Sequence, residues 1–166
     1  MRSHFMIDIE EVELRFPEGC NIILGYSHFI KTVEDLTEII ETHLSGARYA
    51  IAFSEASGKR LIRYSSSDDE LKNYAVDNIK RLAAGHTFMI ILRNAFPIAI
   101  LNAVKGCQEV GSVFAATANP ISVIVAQGKN GGGILGVIDG FSPLGLETEE
   151  DQKARIKFLR DIGYKK

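Results

Sequence analysis

The chain has 166 residues, of which 46% are hydrophobic and 24% charged, so one domain with a sizeable core is expected. A net charge of -2 gives no electrostatic basis for binding nucleic acid or an anionic membrane, and no apolar run approaches the ~18 residues of a membrane span. Cys20 and Cys107 lack the spacing of metal or redox sites, so we expect reduced thiols and no metal site. No apolar signal region begins the chain, so we expect a cytoplasmic protein.

The first predicted elements are two strands and a helix. Residues 6–16 alternate apolar and acidic side chains, with one slip, and predict an edge strand with a bulge; residues 21–24 predict a short second strand. Thr32 is followed by an acid three residues later, which approximates the capping-box pattern. The sequence therefore predicts an amphipathic helix that Thr32 caps and Gly46 ends.

A hairpin, a second helix and a central strand are predicted next. The apolar runs 49–53 and 61–64 are spaced as a hairpin around a Ser-Gly-Lys turn. Residues 67–70 form a capping box, and the helix that follows ends at Gly85. Residues 88–92 are almost wholly apolar, which is typical of a central strand.

The second half begins with a short helix and continues with three β-branched runs. Pro97 marks the first turn of the helix, in which Ile98 is expected to pack inward. The runs 113–116, 121–126 and 134–138 predict buried strands of one sheet.

Two turns and a last helix complete the chain. A Thr-Ala-Asn-Pro turn connects the first two of these strands. The glycine-rich residues 128–133 connect the last two, either as a plain hairpin end or as a loop that lets a ligand approach the backbone. Thr148 caps a highly charged final helix with a thin apolar stripe.

These elements favour an α/β fold, described more closely as an α+β mixed sheet with helices packed against it, over a doubly wound parallel sheet. We expect residues 1–166 to form a single domain. The apolar stretch 113–137 would need cover at a sheet edge, and a symmetric neighbour could provide it. The sequence therefore predicts an oligomer.

Two histidines are candidates for chemistry. His28 and His86 each lie where a strand meets a loop, the place at which ligands collect in α/β proteins. A neutral imidazole there can act as a base, a phosphate ligand or a phosphoryl carrier. From composition alone, a structural histidine is an equally good interpretation.

The segment from Gly25 to Thr32 resembles a phosphate-binding loop. It departs from the pattern because Ile30 stands at the position of the second glycine. In that pattern the glycine allows backbone amides to surround a phosphate. Lys31 and the free amides at the helix start could still hold one phosphate. The alternative is an ordinary helix start with a solvated lysine.

Polar side chains at strand ends provide further candidates. Glu55 and Asp139 could bind Mg²⁺ or activate a hydroxyl, although Asp139 before a glycine also suits a simple turn. Asn119, before a proline, offers an amide to an adenine or ribose, or forms the turn alone.

The whole string goes further than these separate features. The segments ILGYSHFIKTVEDL, FSEASGKRLIRYS, AAGHTFMIIL, FPIAILNAVK, ATANPISVIVA, GILGVIDG and LRDIGYK, in this order, resemble the archaeal and bacterial family of adenosine-specific kinases. The resemblance covers nearly the whole chain.

This resemblance implies a homotrimer or hexamer that binds adenosine or AMP. It also implies phosphotransfer to adenosine, through a possible phosphohistidine, from ATP or another phosphate donor with Mg²⁺. The catalytic candidates are His28, His86, Asp139 and Glu55. The binding candidates are Lys31, Ser57, Asn102, Thr117 and Asn119.

Two other functions remain open from the sequence. One is a non-catalytic sensor of AMP or ATP, and the other is an assembly module that presents its last helix to a partner. The phosphotransferase and the sensor share one requirement: the loops after the short strands must converge in a single cleft.

Overall fold

Eight strands and four helices form the regular structure of residues 6–166, the part of the chain that the computed structural model describes. The strands are β1 (Asp8–Glu13), β2 (Cys20–Ser27), β3 (Arg48–Ser54), β4 (Ile62–Ser66), β5 (Thr87–Arg93), β6 (Val110–Thr117), β7 (Ile121–Gln127) and β8 (Gly132–Asp139). The helices are α1 (Thr32–His43), α2 (Asp69–Leu82), α3 (Leu101–Gly106) and α4 (Glu149–Asp161). Within the described residues, no helix has the length and apolar character to span a membrane.

The strands form two antiparallel sheets. The larger has the order β4-β3-β5-β2-β6 and the smaller the order β1-β7-β8. The mixed α+β prediction is confirmed, and β3–β4 and β7–β8 are hairpins. The prediction of one sheet for residues 113–138 is wrong, because β6 pairs with β2 instead of β7. The chain changes sheets at the Thr-Ala-Asn-Pro turn.

The larger sheet is buried on both faces, which places its ends, and not its faces, at the surface. Alternate side chains of its strands point into two cores. One core lies against α1 and α3 and includes Phe88 and Ile90; the other lies against α2 and the smaller sheet and includes Met89 and Ile91. β5 is the middle strand, as its apolar run predicted.

The N-cap of each of the first two helices lies one residue from its predicted position. It is Lys31 instead of Thr32 in α1, and Asp68 instead of Ser67 in α2. Thr32 is the first residue of α1, and its buried hydroxyl bonds Ser27 and the carbonyl of Phe29 instead of capping the helix. Asp68 caps α2 by accepting bonds from two backbone amides, because the Ser67 hydroxyl is used by β3 at Tyr49. In each case a tertiary contact takes the hydroxyl away from the local pattern.

The C-terminal region contributes nothing to either core. The capping box of Thr148 and Asp151 is present, yet α4 has no buried residue. Leu144 and Leu146 before it are fully exposed. In the segment before α3, Ile98, which was predicted to pack inward, is also 65% exposed. A 13-residue helix gains its stability mostly from packing, so α4 lacks that support within one chain.

Candidate functional site

Two histidines from distant parts of the chain meet at one end of the larger sheet. His28 follows β2 and His86 precedes β5, and these strands pair in antiparallel register with Tyr26 opposite Thr87. Their Nδ1 atoms are 3.1 Å apart, and the rings are nearly perpendicular. Antiparallel pairing thus places the end of β2 beside the start of β5.

His86 is held by its backbone and by packing of its ring. Its amide donates to Ser54 and its carbonyl accepts from Ser27, which joins it to the ends of β3 and β2. Its φ of +58° lies in the left-handed region, which non-glycine residues enter at an energetic cost. Its ring stacks on Phe53 at a 1° angle.

A carboxylate and a guanidinium extend this pair. Oε1 of Glu55, just after β3, lies 3.6 Å from Nε2 of His86. Its other oxygen is 3.0 Å from the guanidinium of Arg63 in β4, which also donates to the carbonyl of Ile30. The contacts therefore run from β4 across β3 and β5 to the exposed imidazole of His28 after β2.

The contacts of the two imidazoles favour one arrangement of their protons. Only one proton lies between the Nδ1 atoms, so one ring donates and the other accepts. The carboxylate of Glu55 favours a proton on Nε2 of His86, which makes His86 the acceptor at Nδ1. His28 then donates from Nδ1 and keeps a free lone pair on Nε2.

A cavity of about 660 Å³ opens beside the histidines and has a basic rim. Ser57, predicted as a binding residue, lines it together with Lys59, Arg60 and Arg63. Arg60 has a φ of +51°, so it and His86 both place left-handed backbone at this cavity. In the described part of the chain, neither Lys59 nor Arg60 is paired with an acid.

The three basic residues were not predicted as site residues. Their only signal in the sequence is their position in and after the turn of the hairpin that carries Glu55 and Ser57. The rim of this cavity can compensate the charge of an anionic group.

Lys31 is close to His28 but is engaged elsewhere. Its ammonium group bonds Asp35 and lies 3.1 Å from Glu109. Hydrogen bonds to these acids, Asp35 first, raise the pKa of Lys31 above its usual range. A phosphate at this lysine would have to displace two carboxylates.

The remaining candidates lie at the opposite end of the sheet. Asp139 accepts from the hydroxyl of Thr117 and the amide of Asn119 at 2.8 and 3.2 Å, which ties the end of β6 to the end of β8. Thr117 pairs with Ile22, six residues or about 20 Å along β2 from His28. One chain therefore does not form the single predicted cleft.

Two further predictions concern residues outside both groups. Asn102 is exposed on α3, and the cavity beside the histidines does not include it. The glycine-rich loop is the hairpin end between β7 and β8, and the amide of Gly132 donates to Ala83 at 3.1 Å. That bond secures the loop near the segment that leads into His86.

One family model matches nearly the whole chain, and a solved structure shares its fold. Residues 12–165 match the family model described as "Adenosine specific kinase". The fold is similar to the crystal structure of the PH1918 protein from Pyrococcus horikoshii OT3, with 38% sequence identity, a TM-score of 0.92, and coverage of 97% of this chain and 99% of that one. No curated protein matches the chain.

Proposed function

Because the chain belongs to the adenosine specific kinase family, we propose that it binds adenosine or AMP in the cavity beside His28 and transfers a phosphoryl group through that histidine. The observation that carries the proposal is the 3.1 Å contact between His28 and His86, backed by Glu55. This arrangement leaves the exposed Nε2 of His28 unprotonated and so able to act as a nucleophile.

In the first step, the lone pair on Nε2 of His28 attacks the phosphorus of ATP or another phosphate donor. The N–P bond forms while the P–O bond to the leaving group breaks, and its electron pair goes to the leaving oxygen. The Nδ1 proton of His28 passes to His86, whose imidazolium faces Glu55. Lys59 and Arg60 compensate the charge on the phosphate oxygens.

In the second step, a hydroxyl of adenosine attacks the same phosphorus. The P–N bond breaks, its electron pair returns to Nε2 of His28, and the proton on His86 returns to Nδ1. Glu55, the carboxylate that lines the cavity, takes the hydroxyl proton and then releases it to solvent, which restores the starting state. Arg63 and His86 already contact both oxygens of Glu55, so the described cavity offers Mg²⁺ no free carboxylate, and no step relies on that ion.

A homotrimer or hexamer is part of the proposal. Exposed apolar side chains before α4 and the unpacked α4 itself support a neighbouring copy as their cover. Asp139 is bonded to Thr117 at the opposite end of the sheet from His28, so it can act on a bound adenosine only if a neighbouring subunit presents it. Light scattering that gives a monomer mass would contradict this part.

Transfer through His28 is tested with radiolabelled ATP, Mg²⁺ and adenosine. We expect acid-labile, alkali-stable label on the protein that His28→Gln abolishes, since the nucleophile is gone. His86→Gln should lower the labelling rate, and His43→Gln, at the exposed end of α1, serves as the matched control. Label that persists in His28→Gln would rule out His28 as the carrier.

A non-catalytic AMP or ATP sensor is the second candidate. It is favoured by the engagement of both oxygens of Glu55, which leaves the cavity without an unpaired carboxylate base. Calorimetry that detects AMP binding without any labelling or turnover would select it. An assembly module without a ligand predicts no thermal shift with adenosine or AMP.

A further inference from the structure

A second cluster of ionisable groups lies beneath the loop that carries His28. It joins Asp35 of α1 to Cys107 and Glu109, which follow α3. One carboxylate oxygen from each acid and the sulfur lie within 4.8 Å of one another. Sγ of Cys107 is 3.2 Å from Oε2 of Glu109 and 4.0 Å from Oδ2 of Asp35.

Glu109 carries an independent sign that the cluster is incomplete. Its side chain is only 3% exposed, and Oε2 contacts both the thiol and Lys31. Oε1 is buried and, among residues 6–166, has no hydrogen-bond partner. A buried carboxylate oxygen without a donor or cation is costly, and an ion bound through both oxygens of Glu109 would remove that cost.

We propose that Asp35, Cys107 and Glu109 bind a divalent transition-metal ion of the zinc class. Bond lengths of about 2.3 Å to sulfur and about 2.1 Å to oxygen place the ligand atoms of a tetrahedral site roughly 3.6 Å apart. The two measured sulfur–oxygen distances, 3.2 and 4.0 Å, lie on either side of that value. A thiolate with carboxylates favours zinc, cobalt or iron over Mg²⁺ or Ca²⁺.

The charges of the cluster also suit a divalent ion. The two carboxylates and the ammonium of Lys31 sum to one negative charge, and the thiolate formed on metal binding adds a second. A doubly charged cation neutralises that sum, and the thiol proton leaves to solvent. Lys31 contacts the same oxygens, so it shifts toward solvent, where 40% of its side chain is already exposed.

Access to the cluster is open. A surface cavity of about 380 Å³ is lined by Asp35, Cys107 and Lys31. The amide of His28 donates to the carbonyl of Glu109 at 3.0 Å, so an ion here would fix the loop that carries the proposed nucleophile. The site uses none of the groups assigned to phosphoryl transfer and stands without that proposal.

Cobalt(II) titration of the full chain under a non-thiol reductant tests the site. We expect one ion per chain and a sulfur-to-cobalt charge-transfer band, which Zn²⁺ then removes by competition. Cys107→Ser should abolish the band and weaken binding about tenfold or more. Cys20→Ser is the matched control and should keep the band, because Cys20 lies in the other core.

Three outcomes would overturn the proposal. They are no band in the native chain, a band that survives Cys107→Ser, and cobalt bound without sulfur, for example at the histidine pair. If Cys107→Ser does not fold, Asp35→Asn takes its place as the test variant and should weaken cobalt binding. Lys31→Gln should bind cobalt more tightly than the native chain, since its ammonium competes for the same oxygens; weaker binding would contradict the geometry.

Discussion

The proton arrangement of the histidine pair can be tested without any turnover, through Glu55→Gln. In the native chain we expect the carboxylate to favour a proton on Nε2 of His86, which leaves Nε2 of His28 free. Glutamine has nearly the same shape but no charge, and Arg63 retains its bond to the carbonyl of Ile30. The substitution therefore removes the electrostatic preference at His86 together with the charge that pairs with Arg63 at 3.0 Å.

The size of that preference follows from one distance. A hydrogen bond to a charged group contributes about 1.5–3 kcal/mol, but the 3.6 Å between Glu55 and His86 exceeds hydrogen-bond length. Both side chains are less than one-fifth exposed, so solvent screens the contact only in part. We assign it about 1 kcal/mol, which corresponds to roughly a fivefold change in the tautomer ratio.

Long-range proton–nitrogen NMR on ¹⁵N-labelled protein reports the tautomers directly. The spectra are recorded at pH 9. We expect His28 protonated on Nδ1 and His86 on Nε2 in the native chain, and about a fivefold shift toward the reverse pair in Glu55→Gln. Glu34→Gln, on the exposed side of α1, should change nothing. A native His28 protonated on Nε2, or a ratio unaffected by Glu55→Gln, would refute the reasoning.

Three further predictions concern stability and reactivity. Asp68→Ala should lower the free energy of unfolding by about 3 kcal/mol, measured by urea denaturation at fixed protein concentration. Asp68→Asn should lower it by about 2 kcal/mol, because asparagine keeps the helix cap but loses the buried pair with Arg93. Equal midpoints for the two variants would contradict this. Gly25→Ala should cost about 2 kcal/mol, since its Cβ would lie 2.4 Å from the ring of Phe88, and a native midpoint would show that β2 has more room. In the metal-free chain, burial and then Glu109 raise the pKa of Cys107 to about 11. Alkylation of this thiol, followed by mass spectrometry, should be ~100-fold slower at pH 8 than that of an ordinary thiol and should accelerate only toward pH 11. Fast alkylation of the metal-free chain at pH 8 would count against that environment.

The sequence alone determined the kind and place of most elements. Residues 88–92 are apolar on both faces, and only a strand in the middle of a covered sheet buries both, so β5 was predictable as central. His28, His86 and Glu55 were also selected from the sequence, because each lies beside an apolar run, whereas Ser57 was selected only through the resemblance to the family. Side-chain hydrophobicity and its period are local properties of the chain, and the sequence records them directly.

Only the tertiary structure decided which of these residues meet. Residues 113–116 are as apolar as those of β7, and alternation along a strand does not specify its partner, so nothing local indicated that β6 joins β2. That pairing places Thr117 and Asp139 at the far end of the sheet from His28. It also brings Glu109 beneath the loop of His28, 81 residues away in the chain, because strand register and not sequence distance sets which loops share an edge.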